Sequence, residues 1–254
     1  MPTPGPRNTV FQELSSPSEV VALLRLRHRV YFEQQQYGPG KPLRLDLTGH
    51  DSRSRLFGVF QAGALVGGVR IVYRTEQPLA EVFRALRDVA DEPAEPVSDA
   101  LPSEEAFDLI GQVGSLRASI DAEIGRFTLA PGALSPRLVN KVMLACLAVL
   151  RAEPCGLYLY SCASSLAPRY ARVANPRFSW DSHEQPGIAS DGFTFPKPTV
   201  ARAAAVEDSP YLDVIDMYAR ELCQSGAIDL SAERPELHFS QRPARLTEVS
   251  SATC

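Results

Sequence analysis

Apolar residues along this 254-residue chain keep two different rhythms. The helical one opens at "SSPSEVVALLRLRHRVYFEQQQY". There Ser16, Pro17 and Glu19 supply an N-cap hydroxyl, a proline at the first helical position and the acid of a capping box. Val20, Leu23, Leu24, Val30 and Tyr31 form the stripe that follows. The same spacing predicts helices over 79–90, after Ser135 and Pro136, from about Pro168, and over 209–226 with Gly226 as the C-cap. Alternation with period two marks "RLFGVFQ" and "ALVGGVRIVYR", joined across Ala62 and Gly63 as a hairpin. Further strands are predicted at 123–129, 156–162 and 177–180. "GFTFPKPTVARAA" reads as extended, and its two prolines predict an edge position.

Between these elements lie a Gly, Pro and Asp-rich loop at 37–54, an acidic, proline-broken surface loop at 91–105 and a stretch without clean periodicity at 107–120. The order mixes a hairpin with β-α-β alternation. It therefore predicts an α/β (α+β) fold with a mixed sheet flanked by helices and an extended C-terminal segment. The expected division is a flexible arm at 1–15, one domain at 16–205, and a helix with a loose tail at 206–254.

The bulk numbers narrow the class. Hydrophobic residues make up 44% and charged residues 22%, and the net charge is -4. That is an ordinary soluble composition without the basic bias of a nucleic-acid binder. Five cysteines with no CxxC pair speak against a disulfide framework or a zinc site and for a reducing cytoplasm. No apolar run reaches the ~18 residues of a membrane span.

Standard catalytic signatures are missing: there is no G-x-S-x-G and no phosphate-binding loop. His28, His50, His183 and His238 have no metal spacing and are expected on the surface or in loops. Ser161 and Cys162 read as small buried residues at a strand end, in preference to a nucleophile. What stands out is charge on apolar elements: Arg27 inside a helical stripe, Arg70 between Gly68 and Val72, and Glu123 and Arg126 in one strand, with Asp46 and Asp51 in the loop between. Buried charges need partners. Either these residues form a structural ion-pair network or they line a site. Residues three apart in a regular strand face opposite ways. Gly125 suits a β-bulge that would turn Glu123 and Arg126 to one side, near Arg70.

In that order the motifs resemble the acyl-homoserine-lactone synthases and the related N-acyl amino acid synthases, which have the GCN5-related N-acyltransferase fold. "LRHRVYFEQQQY" looks like the family's N-terminal signature, with Arg27, Tyr31 and Tyr37, and the loop acids fall on Asp46 and Asp51. "GALVGGVRIV" places the family arginine on Arg70, "EVFRAL" its phenylalanine on Phe83, and "EIGRFTL" its strand residues on Glu123, Arg126 and Phe127. The similarity spans roughly residues 16–165. Tyr37 stands where lactone synthases carry tryptophan, and the loop acids are spaced more widely; both favour an N-acyl amino acid synthase over a lactone synthase that uses S-adenosylmethionine.

The resemblance implies a splayed sheet and acyl transfer from an acyl carrier protein or acyl-CoA to a small amine acceptor, with no bound cofactor. It implies Glu123 as general base, with Arg126 and Arg70 beside it. Arg70 would hold the acceptor carboxylate or pair with an aspartate, and Arg27 with Asp46 or Asp51 would order the N-terminal segment. Leu157, Tyr158, Tyr160, Phe178 and Trp180 are candidates for an acyl tunnel or for plain core. Arg137 and Lys141 are candidate partners of the phosphopantetheine phosphate at a helix N-terminus. Arg25, Arg27, Arg29, Arg137, Lys141 and Arg151 are available to form a basic face for an acidic carrier protein. A module that keeps the fold and only binds acyl groups is the non-enzymatic alternative.

Overall fold

Ser16 begins the first helix as its sequence demands: its hydroxyl accepts from the Glu19 N–H, and the Glu19 carboxylate returns to the Ser16 N–H. This helix is α1 (Pro17–His28), and it runs on into a wider π-helical turn, Arg29–Gln34. The computed structural model describes residues 8–35, 38, 41–90, 99–106, 119–153, 155–181, 189–190, 193–194 and 198–232. The further helices are α2 (Ala80–Ala90), α3 (Pro102–Ala106), α4 (Pro136–Arg151), α5 (Ala167–Ala174) and α6 (Leu212–Ser225). The strands are β1 (Thr9–Glu13), β2 (Ser54–Gln61), β3 (Ala64–Tyr73), β4 (Ile120–Leu129), β5 (Leu157–Ala163), β6 (Phe178–Asp181), β9 (Thr199–Ala204) and β10 (Ala227–Asp229), with a two-stranded ribbon of β7 (Ala189–Ser190) and β8 (Phe193–Thr194) apart from them.

The eight-stranded sheet has the order β10-β1-β2-β3-β4-β5-β9-β6. Every neighbouring pair is antiparallel except β4 and β5. The hairpin between β2 and β3 turns through Ala62 and Gly63, both at positive φ, the primed turn that matches strand twist. Helices α4 and α6 cover one face, where Phe57, Ile71, Ile124, Tyr158 and Val200 meet Val142, Leu147 and Tyr218. Helices α1 and α2 cover part of the other, where Leu23, Leu24 and Phe83 meet Leu56 and Leu47.

Several expectations change. Residues 9–13, expected in a flexible arm, form β1 between β2 and β10, because Phe11 is a fully buried core residue and both strand edges are paired. The C-terminal part of the chain belongs to the same core: α6 packs on α4, and β10 completes the sheet beyond β1. The acidic stretch is no surface loop from 99 onward, since Pro102, Ser103 and Glu104 are buried and Glu104 pairs with Arg74. Strand β9 is internal, not an edge; Pro198 stands just before it, so no proline interrupts its ladders with β5 and β6. The 107–118 stretch and the tail from 233 lie outside the described residues, as do Tyr37, His183 and His238. Among the described residues no helix is long and apolar enough to cross a membrane.

Candidate active site

The centre of the sheet carries two irregularities that meet. Gly68 pairs with Thr128, but Arg70 pairs with Gly125, so β4 holds one more residue than β3 across that span. This is a β-bulge. Its left-handed residue is Arg126, at φ 53°, not the neighbouring glycine. Just there β4 also leaves β5: their pairing runs from Ile120↔Leu157 to Ile124↔Tyr160 and goes no further. Beyond it, Gly125, Arg126 and Phe127 face Ser161, Cys162 and Ala163 across an open pocket of about 500 Å³. A Cβ on Gly125 would meet nothing within 4 Å, so the glycine looks into free space. Met143, Val139, Tyr160, Tyr170 and Leu129 supply an apolar lining, and the exposed Leu134 and Leu166 stand at it as well.

On the opposite face lies the charged cluster. Arg27 donates from Nε to Asp46 at 2.8 Å and from Nη1 to Asp51 at 3.4 Å. Arg70 Nη1 donates to the same Asp51 oxygen at 3.2 Å and to Thr48 Oγ1 at 2.7 Å. Arg126 Nε approaches Asp46 at 3.6 Å. The other Asp51 oxygen accepts from the Thr48 N–H and hydroxyl, closing a capping box on the short turn Gly49–Arg53. All five charged groups are 0–7% exposed. Burial alone would lower the Arg27 pKa, but Asp46 and Asp51 outweigh it and the net shift is upward. Glu123 shares the Arg70 face and accepts from the Ser103 N–H at 2.8 Å and the Ser103 hydroxyl at 2.6 Å. Three guanidiniums thus stand against three carboxylates within one layer.

Tyr31 joins the two faces. It lines the pocket, its hydroxyl donates to the Phe127 carbonyl at 2.8 Å and accepts from Thr128 Oγ1 at 2.8 Å, and its ring lies 5.7 Å from the Arg126 guanidinium. Burial raises its pKa, with Thr128 and Arg126 pulling the other way. The phenol therefore acts as a fixed donor that holds the bulge carbonyl.

The remaining predicted residues scatter. Phe127 lines the pocket, and Phe83 is fully buried in the α1–α2 core. Of the tunnel candidates only Tyr160 reaches the pocket; Trp180 and Phe178 stack at 6.2 Å on the other face with Leu157, and Tyr158 lies in the core. Gly68 makes room for Leu23 of α1 rather than for a ligand, since a Cβ there would come within 2.6 Å of it. Lys141 is turned away from the pocket and donates to the carbonyls of Leu230 and Ala232 at 2.6 and 2.9 Å. Arg137 is exposed in the first turn of α4. With Lys141 so engaged, Arg151 paired with Asp216 and Glu207, and Arg27 buried, three members of the expected basic face are removed. His28 and His50 are buried: Nε2 of His28 accepts from the Lys41 N–H, and Nδ1 of His50 contacts Arg53. Burial pushes the Cys162 thiol up to about 12, which keeps it protonated and a poor nucleophile.

Sequence reasoning missed Thr48, Ser103 and Arg169. The T-x-x-D spacing of Thr48 and Asp51 is a capping-box signal that would have found the first. Arg169, half-buried in the pocket lining, sat in a helix read only for its proline.

The sequence matches no protein-family model and no curated protein. Among solved structures the chain is similar to FeeM, an N-acyl amino acid synthase from uncultured soil microbes, at 15% identity over 81% of this chain and 94% of that one, with a TM-score of 0.55. It also aligns with BjaI, a CoA-dependent acyl-homoserine lactone synthase, at 16% identity over 84% and 90% of the two chains and a TM-score of 0.48. For the acyl-homoserine-lactone synthase LasI the figures are 14% identity, 78% and 90% coverage, and 0.47. What is shared with FeeM at this identity is the fold, a mixed, splayed sheet of the GCN5-related N-acyltransferase kind.

Proposed function

We propose that the protein transfers a fatty acyl group from a thioester, carried by an acyl carrier protein or coenzyme A, to the amine of an amino acid or similar small acceptor. The observation that carries this reading is the parting of β4 from β5 after Ile124 and Tyr160, because it opens an apolar pocket against unpaired strand backbone in mid-sheet. The likeness in fold to FeeM, itself an N-acyl amino acid synthase, supports the same reading.

The chemistry needs three things. The amine must give up a proton as it attacks the thioester carbonyl, and Glu123 is the base, acting through a water because its carboxylate lies on the other face of β4 from the pocket. Ser103 orients its carboxylate with two donors. Negative charge then develops on the thioester oxygen, and strand N–H groups past Ile124 are offered to it. The acyl chain lies among Phe127, Tyr31, Tyr160 and Tyr170 while the thiolate leaves. Arg27, Asp46, Asp51 and Arg70 hold the loop after α1 against the sheet, and Arg126 keeps the bulge in its left-handed turn.

The test is direct. The protein is incubated with dodecanoyl-CoA or dodecanoyl carrier protein and a panel of amino acids, and free thiol and products are followed by colorimetry and mass spectrometry. An N-dodecanoyl amino acid is expected. Glu123→Gln is expected to lower kcat about a hundredfold or more in protein shown to be folded by circular dichroism. A lactone formed from S-adenosylmethionine with release of methylthioadenosine would replace this reading by a lactone synthase. No thiol release from either donor would leave an acyl-binding module.

A further inference from the structure

Among the described residues, the buried Arg202 has no counter-ion. Arg202, in the middle of β9, is 8% exposed, and its Nε and Nη1 have no hydrogen-bond partner among the described residues. No carboxylate there pairs with it. A guanidinium cannot shed its proton to escape burial, so an unpaired one costs the fold stability. Alternation along β9 puts Arg202 on the face of Val200 and Ala204, which pack in the α4–α6 core. Its cross-strand partner in β5 is Tyr160, whose side chain lines the pocket and whose buried hydroxyl interacts with Arg202 but makes no well-formed hydrogen bond among the described residues. Cys162, two residues on along β5, lines the same wall. The positive charge of Arg202 is felt by both: it works against the burial that raises the Tyr160 and Cys162 pKa values. Arg70, the earlier candidate for an acceptor carboxylate, is already engaged by Asp51 and Thr48.

We propose that Tyr160 and Arg202 form a carboxylate-recognition subsite on the inner wall of the pocket. Tyr160 Oη is the donor that meets the ligand oxygen, and Arg202 behind it supplies the charge that makes a carboxylate preferable to a neutral group. The ligand class is an acyl compound bearing a carboxylate. Its source is the acceptor amino acid or the far end of a dicarboxylic acyl chain. The acceptor arm rests on the proposed function; recognition itself does not.

Binding is read by titration calorimetry with three probes of equal chain length: N-dodecanoylglycine, its neutral methylamide, and dodecanedioic acid mono-ethylamide. The wild type is expected to bind one carboxylate probe about tenfold to a hundredfold more tightly than the neutral one, the range of a charge-assisted hydrogen bond. Preference for N-dodecanoylglycine assigns the subsite to the acceptor, and preference for the diacid derivative to the chain end. Arg202→Met and Tyr160→Phe each remove an unsatisfied buried polar group at nearly constant volume, so both are expected to fold with thermal midpoints at or above that of the wild type. Both are expected to abolish the preference. No preference in the wild type, or one that survives both substitutions, overturns the subsite. If carboxylate preference depends on both residues but no acyl transfer occurs, the proposed function falls and the subsite stands. If transfer occurs without the preference, the subsite falls and the function stands.

Discussion

Asp51 is the residue on which the charged layer turns. One of its oxygens receives both Arg27 and Arg70, and the other receives Thr48 twice. Replacing it by asparagine keeps the shape and leaves two arginines sharing a neutral oxygen in a dry layer. Removing one partner of a buried ion pair costs roughly 3–5 kcal/mol. The unfolding free energy of Asp51→Asn, read from urea denaturation, is therefore expected to fall by that amount, and an unchanged midpoint would show that water reaches the layer. Much of this layer is legible in the sequence: Arg27, Asp46, Asp51, Arg70 and Arg126 attract notice as charges on apolar elements, and they meet in space. Ser103 and Arg202 do not attract notice. A serine in an acidic, proline-broken stretch and an arginine among alanines carry no periodic signal, and their meaning comes only from the partner, Glu123, and from the missing partner.

At the scale of elements, the two glycine-bearing strands β3 and β4 illustrate opposite uses of the same residue. A Cβ on Gly67 would lie 2.4 Å from the Leu129 side chain and 2.6 Å from the Thr128 carbonyl, so β3 and β4 need the glycine to approach each other. Gly125 needs none for packing or for φ. Gly67→Ala is expected to destabilise the protein by about 1–3 kcal/mol through overpacking, whereas Gly125→Ala is expected to keep the wild-type midpoint and lower turnover by crowding the gap between β4 and β5. Urea denaturation and thiol release measured on both variants check the pair; equal midpoints for the two would contradict the packing argument. The bulge itself is legible as a conflict, since Glu123 and Arg126 stand at a spacing a regular strand cannot serve. Which residue turns left-handed is not, because Gly125 is the local favourite and the bond from Tyr31 to the Phe127 carbonyl comes from a helix ninety-odd positions away.

For the molecule as a whole, buried phenols set the alkaline limit. Burial raises the pKa of Tyr31, Tyr73, Tyr158, Tyr160 and Tyr170 in the folded state. In the unfolded chain a tyrosine titrates near about 10. Above that pH the folded state keeps protons that the unfolded state gives up, so stability is full below about pH 10 and falls as the pH rises past it. The urea midpoint is expected to be level from about pH 7 to 9 and to drop beyond 10, with phenolate absorbance appearing together with loss of circular dichroism. Phenolate formation well ahead of unfolding would mean these rings are not sealed. The broad architecture is legible at this scale, because hairpin, β-α-β alternation and helix caps are all local signals. The placement of β1 is not: "TVFQE" at the start of a chain looks like any loose lead-in until its partners at 54–61 and 227–229 are known.

That pairing has a consequence for how the protein is made. Synthesis delivers β1 more than two hundred residues before β10. The edge facing β2 is covered early, but the edge that bonds Val10, Phe11 and Gln12 to β10 stays bare until β10 has been made. A bare strand edge is a template for another chain. A message truncated before Ala227 would release a molecule with its pocket residues complete and β1 unpaired on one side, and the quality of this short strand decides whether that edge is covered within the chain or finds a neighbour.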